Sequence, residues 1–136
     1  MRKRAIILLA AALGCLAWTA VPADSAETIE MARVLYHYCA QQPDSTMRLF
    51  GNTICNRAGM REYGDTLMRV LSEYESSALY DERSLACARE LTMGKMGYDA
   101  APDEVIHAVR RDADQSAYAD KGFWRFSGDY VFYYRT

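Results

Sequence analysis

The sequence predicts a mainly α protein: a small bundle of four to five helices with a short C-terminal β-hairpin or extended aromatic segment. Three observations carry this. Apolar residues recur every three to four positions through most of the chain after residue 24. Capping residues and glycines divide that run into helix-length pieces. The last fourteen residues change to aromatic and β-branched types around Ser127-Gly128-Asp129.

Ahead of the bundle stands a segment of another kind. Arg2, Lys3 and Arg4 precede a charge-free apolar run from Ala5 to Leu16, and Val21-Pro22-Ala23 offers compact side chains for cleavage. This is the layout of a secretory signal peptide, expected at residues 1–23, with a single helical domain over 24–136. The apolar stretch is interrupted by Thr19 and Pro22, so no stable membrane span is expected once it is removed. Lipidation at Cys15 is a weaker reading, because the residues that follow stay apolar. A periplasmic or secreted location follows.

The first helix is expected over 26–41, with Asp24 and Glu27 at capping-box spacing and Ile29, Ala32, Leu35, Tyr36 and Cys39 as its apolar stripe. Pro43-Asp44-Ser45 turns the chain into a second helix with Met47, Phe50, Ile54 and Ala58 inward. Gly51, Asn52, Thr53 and Asn56 weaken that helix, and Gly59 can end it. Tyr63, Leu67, Val70, Leu71, Tyr74 and Ala78 predict a long third helix over 61–80. Asp81 or Ser84 caps a fourth carrying Leu85, Ala88 and Leu91, closed by Gly94 or Gly97. Pro102, Asp103 and Glu104 suit the first turn of a fifth, whose stripe would be Val105, Ile106, Val109 and Ala113. Phe123–Phe126 and Tyr130–Tyr134 then form the hairpin.

Export bears on the cysteines. With Cys15 removed, Cys39, Cys55 and Cys87 remain. In an up-and-down bundle Cys39 and Cys87 fall at the same end, while Cys55 lies roughly 15 Å along its helix, beyond the ~7 Å that a bridge spans. A Cys39–Cys87 disulfide is therefore expected, with Cys55 free.

Composition narrows the function. Loss of Arg2, Lys3 and Arg4 leaves 13 basic against 18 acidic residues, a net charge of −5, which argues against nucleic acid as a partner. No CxxC, CxxCH or HExxH spacing occurs, and no cofactor or metal is called for. The two histidines, His37 and His107, limit acid–base chemistry. A haem or copper carrier would use His107 with the methionines, of which Met93 and Met96 have a Cu(I)-type spacing. A thiol enzyme would pair Cys55 with His107, oriented by Asp103. Carboxylate pairs such as Glu62 with Asp65, or Glu73 with Glu75, have the chemistry of glycoside cleavage, but exposed acids on a helix face are commoner. Seven of the fifteen aromatics after residue 23 fall in the last fourteen positions. Trp124, Phe126, Tyr130 and Phe132 are accordingly expected to form a binding surface. The resulting expectation is a non-catalytic exported protein that binds another exported protein, as an inhibitor, immunity or secretion-accessory factor.

Overall fold

The computed structural model describes residues 23–94 and 100–136. The expected signal peptide, apart from Ala23, and Gly97 lie outside these residues. Four helices, α1 (Ala26–Cys39), α2 (Asp44–Ala58), α3 (Leu67–Leu71) and α4 (Glu82–Thr92), are followed by three strands, β1 (Val105–Arg110), β2 (Phe123–Ser127) and β3 (Tyr130–Tyr134). Single 3-10 turns occupy Arg61–Tyr63 and Ser116–Tyr118. The strands form one antiparallel sheet in the order β1-β3-β2. No helix among the described residues is long and apolar enough to cross a membrane.

A helical bundle with an appended hairpin is thus corrected to helices packed on a small sheet. The long third helix does not form. Gly64, at φ +128°, takes a conformation that stops a helix, and Thr66 starts a new one by accepting from the Arg69 N–H. Only Leu67–Leu71 is α-helical, and the chain then runs irregularly to Asp81. The fifth helix is strand β1. Its Val105, Ile106 and Val109 suit either periodicity, and β3 supplies the hydrogen-bonding partners that decide for the strand, with Ala108 opposite Phe132 and Val109 opposite Val131.

The other elements follow the sequence closely. Ser25, rather than Asp24, caps α1 by accepting from Thr28 N–H, and Asp24 instead pairs with Arg89. Asp81 and Ser84 form a reciprocal capping box on α4, and Gly94 leaves it at φ +68°. The β2–β3 hairpin turns at Gly128, φ +51°. A Cβ there would stand 2.8 Å from Thr46 Oγ1 and closer still to Gln42 Oε1. That turn is docked on the α1–α2 connection: Gln42 donates to Asp129 Oδ2 and accepts from Asp129 N–H, both at 2.9 Å.

Helix α2 is the centre of the molecule, touching α1, α3, α4 and β1. Its poor helix formers are the residues that the packing uses. Gly51 lets α4 approach so closely that a Cβ would stand 3.2 Å from Leu35 Cδ2 and well inside contact distance of Leu91 Cδ1. Asn52 accepts from Ala101 N–H, Asn56 donates to the Pro102 and Val105 carbonyls, and Arg57 Nε donates to the Ile106 carbonyl at 2.8 Å. Three polar side chains on one helix therefore fix the segment that leads into β1.

Candidate functional site

The C-terminal turn of α1 carries His37 and Tyr38 to the edge of the helical layer. Tyr38 stacks on Phe50 of α2, ring centroids 5.1 Å apart, and meets Tyr74 edge-on at 5.9 Å. Its hydroxyl accepts from the Glu75 N–H at 3.0 Å, and its carbonyl accepts from the Tyr130 hydroxyl at 2.8 Å. Tyr38 thereby sets the backbone of Glu75, whose carboxylate lies 2.9 Å from His37 Nε2. The Glu75 side chain is 79% exposed, so this carboxylate–imidazole pair faces solvent beside an aromatic floor.

From Tyr74 the aromatic band continues to the sheet through Arg57. Its guanidinium lies over the Tyr63 ring at 5.1 Å and the Tyr74 ring at 5.7 Å. Nη2 of Arg57 approaches His107 Nδ1 at 3.3 Å. His107 meets Tyr118 at 5.3 Å, Tyr118 stacks on Tyr133 at 5.4 Å, and the Tyr133 hydroxyl donates to Gln115 Oε1. Next to Tyr63, residues Ala58, Gly59, Arg61, Gly64 and Asp65 line a shallow recess.

The electrostatics set four acids aside. Asp24 and Asp112 are held below the ordinary aspartate range by hydrogen bonds from Arg89 and Arg110. Asp81 and Asp114 are held there by the backbone N–H groups of Ser84 and Ser116. Stabilised as carboxylates, these four are poor proton donors at neutral pH. Glu62 is engaged by Arg135. Glu75 has imidazole rather than guanidinium as its partner and belongs to the aromatic band.

The thiol-enzyme arrangement does not assemble. His107 sits on a strand, its Nδ1 turned to Arg57, and Cys55 is not among its hydrogen-bonding partners. Burial pushes the Cys55 thiol up to about 11, the protonated and unreactive form. Asp103 precedes β1 and so does not stand one helical turn before His107. A carrier built on His107 and methionines is not assembled either: Met31 and Met47 are buried in the helical core, Met93 is exposed and Met96 lies outside the described residues. Among the described residues no group of three or more histidine, cysteine, aspartate or glutamate side chains could hold a metal.

Cys39, Cys55 and Cys87 are free thiols in this structure, with Cys39 and Cys87 both in the main core cluster. Burial raises both, Cys39 further through its neighbour Cys87, and Cys87 to about 12. The four aromatics expected to form one surface are divided by the fold. Tyr130 and Phe132 are buried, Trp124 is half-buried edge-on to Phe132, and Phe126 is exposed beside Phe123. The band from Tyr38 to Tyr133 escaped the sequence reading because its members come from seven separate segments. Its one local signal was the His37-Tyr38 pair at the end of a well-capped helix.

No protein-family model matches the sequence, and no curated protein matches it. Two solved structures share the fold. The catalytic domain of the germination-specific lytic transglycosylase SleB from Bacillus anthracis superposes with a TM-score of 0.64 at 17% identity, covering 83% of this chain and 99% of that one. The catalytic domain of the Bacillus cereus SleB protein gives a TM-score of 0.64 at 16% identity over 83% and 94% of the two chains. At these identities the likeness shows the fold. It corrects the expectation of a non-catalytic helical protein that binds another exported protein: the architecture shared almost end to end is that of an enzyme's catalytic domain, helices with a small sheet.

Proposed function

We propose that this protein is an exported enzyme that cleaves cell-wall glycan strands, with Glu75 as the acid of the reaction. The observation that supports it most is the match to 99% of a lytic transglycosylase's catalytic domain, with a solvent-facing carboxylate set beside an aromatic band in that fold. Sugar rings present apolar faces to aromatic side chains, and Tyr38, Tyr74, Tyr118 and Tyr133 line one path from α1 to the sheet. A strand laid across Tyr38 and Tyr74 brings a glycosidic oxygen to the Glu75 carboxyl. The acid then gives its proton to the glycosidic oxygen as the C–O bond breaks. The carboxylate left behind faces the positive charge that develops on the sugar ring, and it takes back a proton from the hydroxyl, of water or of the sugar itself, whose oxygen bonds to the anomeric carbon. His37 holds the carboxyl in place through its 2.9 Å contact.

The domain assignment belongs to this proposal: residues 1–23 direct export, and 24–136 form the working domain. Oxidation after export closes Cys39 to Cys87 inside the core they share.

The test is release of soluble fragments from purified cell-wall sacculi by residues 24–136. Glu75→Gln keeps the shape and removes the proton, and should lower the rate by about 100-fold or more. A wild-type protein that releases nothing overturns the proposed activity, and an undiminished Glu75→Gln variant overturns the role of Glu75.

A further inference from the structure

Arg57 reaches His107 with a group that can only donate, and this fixes where the imidazole proton sits. A guanidinium has five N–H donors and no acceptor. The Nη2···Nδ1 approach of 3.3 Å is a hydrogen bond only if Nδ1 carries the lone pair, which leaves the ring proton on Nε2. A doubly protonated ring would set N–H against N–H and cation against cation. Nε2 has no hydrogen-bonding partner among the described residues.

We propose that His107, held as the Nε2–H tautomer by Arg57, is a ligand-binding residue that donates to the amide carbonyl of an N-acetylated sugar. The inference rests on the reading that the ligand is a cell-wall glycan. Four groups face the imidazole: Arg57 from α2, Tyr118 and Lys121 from the β1–β2 connection, and Tyr133 opposite it on β3. Burial and the two cations lower its pKa to about 4, so the ring is neutral wherever the cell wall is. Nε and Nη2 of Arg57 are committed to the Ile106 carbonyl and to Nδ1, and its face is covered by Tyr63 and Tyr74. A single neutral donor flanked by the Tyr118 ring suits a planar amide, whose carbonyl takes one hydrogen bond while its plane lies on the aromatic face.

The test compares binding of the N-acetylglucosamine tetramer with its fully de-N-acetylated counterpart, by calorimetry on residues 24–136. His107→Ala should weaken the acetylated tetramer about five- to tenfold and leave the deacetylated one unmoved. His107→Gln, which restores an N–H donor, should recover most of the loss, with an unchanged amide NMR spectrum showing that the fold is intact. Wild-type affinity should be flat between about pH 5.5 and 8, and long-range proton–nitrogen NMR should show the Nε2–H tautomer. Equal losses for both tetramers, no loss, no binding of either, a proton on Nδ1, or affinity that rises as the imidazole charges would each overturn the inference. If the sacculi are untouched while the His107 results hold, the cleavage reading falls and this one stands.

Discussion

Arg83 of α4 closes the end of α1, and its removal has a calculable cost. The guanidinium donates to the carbonyls of Cys39 at 3.1 Å, Ala40 at 2.9 Å and Gln42, and to Asp44 Oδ1 at 3.0 Å. The carbonyls belong to the last turn of α1 and its exit, where the helix leaves acceptors unpaired and concentrates negative partial charge. The Asp44 carboxylate is 63% exposed, so that pair adds only about 0.5 kcal/mol. A hydrogen bond from a charged donor is worth about 1.5–3 kcal/mol. The Arg83 side chain is 33% exposed, so water replaces part of what is lost. Arg83→Met, which keeps the aliphatic stem, should therefore cost about 3 kcal/mol. With a urea slope of roughly 1.5 kcal/mol/M, the midpoint falls by about 2 M. Arg83→Lys keeps the charge but reaches one carbonyl at most, and should lose about two-thirds as much. A Met variant within about 1 kcal/mol of wild type at unchanged slope would refute the reasoning. A Lys variant equal to wild type would show that charge, rather than the fork, holds the turn.

Two further outcomes follow from the caps and the thiols. Asp81→Ala should cost about 1 kcal/mol at neutral pH. The Ser84 N–H lowers the Asp81 pKa, so this contribution is present above the ordinary aspartate value and is lost as pH falls through the lowered one. The stability gap between wild type and variant should close in acid, and a gap that stays constant contradicts the cap. In protein recovered from an oxidising compartment, a non-reduced digest should yield a Cys39–Cys87 peptide. Cys55, pushed up to about 11, should alkylate slowly at pH 7, and a bridge to Cys55 contradicts the assignment.

What was legible in the sequence was local. Helices α1 and α4 are set by capping groups and stripes within a few residues of each other: α1 ends two residues before its expected limit, and α4 takes Asp81 and Gly94 from the alternatives the pattern offered. The hairpin was legible for the same reason, since Gly128 and the β-branched and aromatic runs beside it act over single-residue distances. The long third helix failed on Gly64 and Thr66, whose backbone preferences outweigh a periodic stripe that a short helix and an irregular segment satisfy equally well. The fifth helix failed because Val105, Ile106 and Val109 fit two periods, and the deciding partner lies about 25 residues later in β3.

The candidate site was less legible than the fold. In the sequence Glu75 is one of two neighbouring acids, with Glu73, and nothing local singles it out. What distinguishes it is His37, 38 positions earlier, and the Tyr38 hydroxyl on its backbone.

By itself, then, the sequence determined the caps, the turns and the composition, because these depend on residues in contact along the chain. The tertiary structure decided which apolar run became a strand, why α2 keeps Gly51, Asn52, Asn56 and Arg57, and which acid meets an imidazole. Those outcomes depend on distances between segments remote in sequence. Residue type and spacing do not encode such distances until packing brings the segments together.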